Sequence, residues 1–426
     1  MMAAAMAATI FAGCGSSAEE TTTDTAAEET AEATEAAEET AEETEAAEET
    51  EAPAEEAAEE EAEAPAEDAA EEETAVASWT INMDDMLAGS PFEGMTVDGD
   101  YSYEMIMKAY TASYFEAVQE GADAAAADLG VDLVCTGPNT ESDIADQVNM
   151  FNAAVNNHYD AVACAPSDAS ALSDSLQLAI DEEVPIFCFD SSFDNAPEGS
   201  VYATIATDSY AVGQTGGENV YNGVSYKAAD GKIRIGLIAN DSTSASNTLR
   251  GLGFVDKIIE LGTADGYKVA VTGNDFFVSG CTDAGDENDC DIVIECRVPA
   301  TATVDQLSTE SAAVLNKDDT VAVFGTNQTA TEGIVASNAN LDVLSSDPET
   351  GILGTGFDAG EIVKNAVADG TLYGCVTQMP YAMGYYTICS MIACNNGEEV
   401  EDLNIPAYWY NVDNMDDPLI APNLYE

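Results

Sequence analysis

Five polar residues stand in series along this chain, each beyond a short apolar run or a loop: Asp190, Arg250, Asn327, Asp358 and Gln378. Carboxylates and a guanidinium can engage neighbouring hydroxyls in bidentate fashion, and carboxamides both donate and accept. The chemistry of such a set is the holding of a polyhydroxylated ring. No Ser/His/Asp set, Gly-rich phosphate loop or metal-ligand cluster accompanies it, so no reaction on the ligand is inferred.

The runs that position these residues are themselves informative. Val184 to Phe189 precedes Asp190, Val321 to Thr326 precedes Asn327, and Gly351 to Phe357 precedes Asp358. Each reads as a fully buried strand. In an open α/β sheet the ligand lies beyond the carboxyl ends of the strands, where loops converge. Arg250 follows the loop from Asn240 to Asn247 and falls on the first turns of the next helix. Bland alternatives exist for each: Asp190 and Asp358 can cap turns, Arg250 can be a surface residue, Asn327 can cap a helix, and Gln378 can serve a crossing alone.

Around these residues strand and helix alternate from Tyr103 onward. Glu104 to Ala109 reads as a strand, Ser113 to Leu129 as an Ala-rich helix stopped by Gly130, and Val131 to Cys135 as the next strand. The alternation continues to a strand at Val201 to Thr207 and restarts with a helix from Tyr210, ending in a helix over Tyr381 to Cys394. The expected fold is α/β: two similar three-layer, Rossmann-like lobes with parallel sheets. Residues 79–102 stand outside the pattern.

At 426 residues and 46% apolar content, the chain can bury two domain-sized cores. Its formal net charge of −72, from 82 acidic and 10 basic residues, repels phosphate backbones, so no nucleic-acid partner is expected. The acids are concentrated early. Residues 18–75 form an Ala/Glu/Thr tract with near-repeats and no aromatic or basic residue, which cannot bury enough surface to offset chain entropy. It reads as a self-repelling tether. Before it, residues 1–13 are small and apolar without a Lys or Arg, as in the remnant of a secretion signal whose start lies further upstream. Phe11-Ala12-Gly13-Cys14 resembles a bacterial lipobox, with Phe11 where Leu is usual, and makes Cys14 the expected lipidation site.

Of ten cysteines, several (Cys135, Cys164, Cys188, Cys375) sit inside apolar strands as small core residues. A single His158 and the lack of any C-x-x-C argue against zinc. Around the acidic stretch Asp283 to Asp291, one disulfide among Cys281, Cys290 and Cys296 is compatible with an oxidising compartment.

From about Glu104 onward the chain resembles the ribose/galactose type of periplasmic sugar-binding protein, the type I substrate-binding component of ABC importers. The resemblance rests on Tyr114-Phe115 with Gly121, Val184-Pro185-Ile186 with Phe189-Asp190-Ser191, Thr207-Asp208-Ser209, Arg250-Gly251-Leu252-Gly253-Phe254, Gly325-Thr326-Asn327, Gly356-Phe357-Asp358 with Gly360, and Gln378-Met379-Pro380-Tyr381 with Gly384. Lys108 with Gly137-Pro138 and Gln147 is similar to the rhamnose/autoinducer-2 branch. The resemblance implies polar ligand contacts from Asp190, Arg250, Asn327, Asp358 and Gln378, with Lys108 added by the second branch, and lining by Tyr114 and Phe115. Ala112-Ser113 replaces the Asn-Pro of the ribose-type pattern, so one hydrogen bond of the first lobe is lost or replaced.

The resemblance further implies a three-strand hinge with crossings near Thr207, Gln378 and Pro406. The domains become 1–14 (signal remnant and lipobox), 15–78 (acidic linker), 79–207 plus 379–405 (N-terminal lobe) and 208–378 plus 406–426 (C-terminal lobe). The expected protein is a monomer, lipid-anchored on the extracellular face of a bacterial cell membrane. It captures a monosaccharide or polyol by hinge closure and delivers it to an ABC permease and ATPase complex, without cofactor or metal. The alternatives are a sensor of autoinducer-2 or a sugar feeding a membrane receptor and, against the acidic N-terminus, a repressor's effector domain.

Overall fold

The computed structural model describes residues 81–193 and 196–425. Cys14, the acidic tract and the start of the 79–102 segment lie outside the described residues.

Five strands open the fold: β1 (Ser102–Ile106), β2 (Asp132–Thr136), β3 (Ala161–Cys164), β4 (Ile186–Phe189) and β5 (Val201–Ala206). The helices α1 (Ser113–Leu129), α2 (Ile144–Asn156) and α3 (Ser173–Asp181) connect the first four. The chain then leaves through α4 (Ser209–Val224) and builds β6 (Ile233–Ile238), α5 (Ala245–Ala264), β7 (Val269–Gly273), α6 (Asp275–Gly280), β8 (Ile292–Arg297), α7 (Val304–Leu315), β9 (Thr320–Gly325), α8 (Gln328–Leu341), β10 (Leu353–Phe357), α9 (Glu361–Ala368) and β11 (Gly374–Thr377). It returns in α10 (Pro380–Asn395), adds β12 (Leu403–Asn404), and crosses again to β13 (Tyr408–Tyr410).

The sheets run β12-β5-β4-β3-β1-β2 and β13-β11-β10-β9-β6-β8-β7. From the left-hand edge inward they correspond strand for strand: β5 with β11, β4 with β10, β3 with β9, β1 with β6. The two lobes are therefore similar in topology, as the repeated alternation indicates. One departure from parallel pairing is β13, which runs antiparallel to β11. A three-residue edge strand carries too little pattern to show its direction in sequence. The short α6 and β12 escape sequence reading for the same reason.

Chain crossings between the sheets occur from β5 to α4, from β11 to α10 and from β12 to β13. Local signals set the element ends. Gly130 closes α1 in the left-handed conformation (φ 75°), its N–H reaching the Ala126 carbonyl. Asp208 caps α4 by accepting from the Ala211 N–H at 2.9 Å.

Each lobe also contains one very close helix pair. In α1 and α10 a Cβ added to Gly121 would lie 1.9 Å from the Tyr381 carbonyl oxygen, and one on Gly384 would lie 1.9 Å from that of Val118. In α4 and α5 the same holds for Gly213 against the Arg250 oxygen (2.2 Å) and Gly253 against the Tyr210 oxygen (2.1 Å). Only hydrogen side chains allow backbones this near.

Residues 81–102, unassigned by pattern, pack on α10. Ile81 and Met86 are buried in the first core, Phe92 stacks on Tyr386 at 6.0 Å, and the Tyr386 hydroxyl donates to the Met86 carbonyl at 2.7 Å. Asn396 donates to the Thr96 carbonyl and accepts from the Asp98 N–H. A Tyr386→Phe substitution keeps the stacking and strands that carbonyl, so unfolding in denaturant should show a loss of about 1 kcal/mol. An unchanged midpoint would mean the segment is held by its apolar contacts alone.

The nine described cysteines all carry free thiols. Cys296 is buried in β8, Cys281 and Cys290 donate to main-chain carbonyls, and no disulfide joins any two of the three.

Candidate ligand-binding cleft

Topology brings the two aspartates to equivalent places. β4 and β10 hold corresponding positions, and each ends in a buried Asp with positive φ, 60° at Asp190 and 68° at Asp358. Asp tolerates this left-handed turn better than most side chains. The turn is held by main-chain bonds from the Asp190 N–H to the Ile205 carbonyl (3.2 Å) and from the Asp358 N–H to that of Val376 (2.6 Å). Both carboxylates face a cavity of about 310 Å³ between the lobes, near the small end of the range for small-molecule pockets.

Lys108, just beyond β1, donates to Asp190 Oδ2 at 2.7 Å, Ser244 Oγ at 2.9 Å and Ser246 Oγ at 2.8 Å. Its ammonium has three hydrogens, and all three are engaged. Arg250 sits in the second turn of α5. One terminal nitrogen donates to Gln378 Oε1 at 3.0 Å and lies 3.7 Å from Asp190 Oδ1; the other donates to the Thr326 carbonyl at 3.3 Å. Its guanidinium carbon stands 4.1 Å from the Phe357 ring centroid, a cation–π arrangement. Gln378 in turn donates to Asp358 Oδ1 at 2.8 Å, and the Gln328 N–H reaches Asp358 Oδ2 at 3.1 Å.

All but one of the sequence-selected residues line the cavity: Lys108, Tyr114, Phe115, Asp190, Arg250, Asn327 and Asp358. Gln378 does not. It is fully buried behind Arg250 and Asp358 and orients both. Asn327 both caps α8, accepting from the Ala330 N–H at 2.9 Å, and turns its amide toward Glu141. Tyr114 and Phe115 meet edge to face at 5.0 Å and present apolar wall. Gln147 is absent from the lining. Its amide holds the Met107 and Ala165 carbonyls and the Ser167 N–H, and so fixes the loops after β1 and β3. Ser113, at the position where the pattern departs, accepts from the Gln328 amide across the cleft at 2.8 Å.

Glu141, Gln328 and Glu332 are lining residues that sequence reading missed. The rule that found Asp190 applies to Glu141 as well, since it lies in the loop past the carboxyl end of β2. The weak polar signature of Asn139-Thr140-Glu141-Ser142 hid it. Glu332 is one helical turn beyond Gln328, which donates to it at 2.7 Å.

Residues 103–399 match the periplasmic binding protein domain. The chain belongs to the periplasmic binding protein family. Three solved structures show the likeness in three dimensions. An ABC transporter solute binding protein from Agrobacterium vitis, with bound D-fucose, is 24% identical, covers 76% of this chain and 100% of its own, and gives a TM-score of 0.64. A carbohydrate transporter solute binding protein from Agrobacterium radiobacter, in complex with D-arabinose, is 22% identical over 77% and 99% of the chains, at 0.62. An ABC transporter periplasmic solute binding protein from Actinobacillus succinogenes 130z, with bound D-allose, is 16% identical over 75% and 100%, at 0.60. The superpositions show a shared fold at these low identities. The family match spans this periplasmic binding protein from β1 through α10, and so includes β1 to β11 and the first two crossings, with the edge strands β12 and β13 beyond it.

Electrostatics divide the carboxylates of this binding protein. At Asp190 burial opposes the charge, but the charges of Lys108 and Arg250 and hydrogen bonds from Lys108 and Tyr114 outweigh it and hold the carboxyl below its usual range. At Asp358 burial dominates over Arg250 and Gln378, and the carboxyl is raised to about 6. Glu141 is raised to about 7, again by burial against the pull of Lys108. A carboxyl with a raised folded-state pKa binds a proton in the native state that the unfolded chain has released. Stability should therefore fall as pH rises from about 4 to about 7. The double variant Asp358→Asn, Glu141→Gln should lose that part of the slope, measured as the parent-minus-variant difference in denaturation midpoint across the window. Parallel parent and variant curves would refute the assignment.

Proposed function

We propose that this chain is the substrate-binding component of an ABC sugar importer, anchored through lipid on Cys14 to the extracellular face of a bacterial cell membrane. It captures a monosaccharide or related polyol between its lobes, 79–207 with 379–405 and 208–378 with 406–426, and delivers it to the permease and ATPase complex. The observation that carries the reading is the convergence of Asp190, Arg250, Asn327 and Asp358, with the Tyr114-Phe115 wall, on one cavity of monosaccharide scale. The structural neighbours hold D-fucose, D-arabinose and D-allose. The three crossings support closure by bending of the connecting strands. Contacts such as Lys108 to Ser244 and Ser246, Glu141 to Asn240 (2.7 Å) and Ser142 to the Ala302 N–H (2.9 Å) then fasten the closed form. The ligand is bound and released unaltered.

The test is thermal unfolding of the full chain against monosaccharides, polyols, nucleosides and autoinducer-2, since a ligand binding only the folded state raises the melting temperature. A sugar or polyol should shift the parent and fail to shift Asp190→Ala. A panel that shifts nothing would sink the sugar reading. Anchoring is tested separately by lipid labelling of cells expressing the parent and Cys14→Ser; equal labelling of both would reject Cys14.

A further inference from the structure

We propose that the ligand of this cleft carries an amino group, making it an amino sugar or amino polyol, and that Glu141 receives its ammonium. The inference rests on the sugar reading above and narrows it.

The argument begins with a charge census of the lining. Four carboxylates, Glu141, Asp190, Glu332 and Asp358, face the cavity with two cations, Lys108 and Arg250. Both cations lean on Asp190, at 2.7 and 3.7 Å. Lys108 has no hydrogen left for another acceptor. The remaining three carboxylates are supported by neutral donors. Asp358 accepts from the Gln378 amide and the Gln328 N–H, and Glu332 from the Gln328 amide. Glu141 accepts from the Asn240 amide on Oε2, while Oε1 has only a 3.5 Å approach from Asn327. Glu141 and Glu332 each leave an acceptor oxygen without a close partner, and of the two Glu141 is the more deeply desolvated and stands against the Asn240 and Asn327 side chains of the opposite lobe.

Closing the cleft removes water from these groups, and a carboxylate that loses water without gaining a cation is held at a cost. The charged groups felt at Glu141 are Lys108, Asp241, Asp190 and Asp358, three of four of them negative. A neutral sugar offers only hydroxyl donors to this environment. An ammonium in place of one hydroxyl has almost the same size, supplies three donors and cancels a charge. An acidic sugar would add a charge to a site already in excess of the same sign.

Calorimetric titration of the full chain at pH 7 with isosteric pairs tests this: glucosamine against glucose, galactosamine against galactose, mannosamine against mannose, and glucamine against glucitol, with glucuronate as an acidic probe. The expected result is at least one pair in which the amino member binds tenfold or more tightly, with no binding of glucuronate. Glu141→Gln, which keeps the acceptor to Asn240, should reduce that preference below threefold, while Glu332→Gln retains it. Thermal unfolding of each variant confirms that it is folded, and Glu141→Asp serves if the Gln variant is not. Equal or tighter binding of the neutral member in every pair overturns the amino inference and leaves the sugar reading standing. Loss of preference in Glu332→Gln rather than Glu141→Gln overturns the assignment to Glu141. Binding of no member of any pair overturns both.

Discussion

Replacing Arg250 with Ala should destabilise the ligand-free protein by about 3–5 kcal/mol, the cost of removing one partner from a buried ionic network. The side chain is almost wholly buried and touches Asp190, Gln378, the Thr326 carbonyl and the face of Phe357. Without it, Gln378 loses its acceptor role toward the guanidinium, Asp190 keeps only Lys108 as a cationic partner, and Asp358 loses the cation that holds its raised pKa down. The pH dependence of stability should therefore steepen between about 4 and 7 in the variant. Arg250→Lys should recover little, because an ammonium cannot reach two carbonyl acceptors and stack on a ring at once. Denaturant unfolding at three pH values decides the matter. A loss below about 1 kcal/mol would place Arg250 outside the network's energetics.

Gly253→Ala should be nearly as damaging, although it adds only one methyl group. The new Cβ would stand 2.1 Å from the Tyr210 carbonyl oxygen, and main chain cannot swing aside as a side-chain tip can. The helices α4 and α5 must separate, which places the cost at or above the about 1–3 kcal/mol usual for overpacking. The consequence for function is more specific. Arg250 lies three residues earlier on the same helix, and its own carbonyl is packed 2.2 Å from the Cβ position of Gly213. Moving α5 shifts the guanidinium away from Gln378 and Asp190. Ligand response should therefore weaken more than it does in Gly384→Ala, which opens the equivalent α1 and α10 pair but leaves Arg250 in place. Equal loss of response in both variants would separate helix packing from the placement of Arg250.

Much of this could be read from residue order alone. The apolar runs ending at Phe189, Gly325 and Phe357 form buried strands because continuous apolar sequence has no other place to go. The helices Ser113–Leu129, Val304–Leu315 and Glu361–Ala368 begin and end where their periodicity and boundary residues indicate. Asp190, Asn327 and Asp358 line the cleft because residues past the parallel strands of a sheet emerge at its carboxyl edge, Asp190 from the first sheet and Asn327 and Asp358 from the second. Those are consequences of local preference and of connection rules, which act within a few residues or a single crossover. What sequence could not supply is the arrangement across the lobes. Gln378 looks like a contact residue by type and order, yet it lies behind Arg250 and Asp358, because the depth of a side chain depends on which helices cover it. Lys108 has its hydrogens occupied by serines 136 and 138 positions away, and Glu141 becomes part of the cleft only through Asn240 and Asn327 of the other lobe. Such pairings are set by how two separately folded sheets meet, and no periodicity in the chain encodes that meeting.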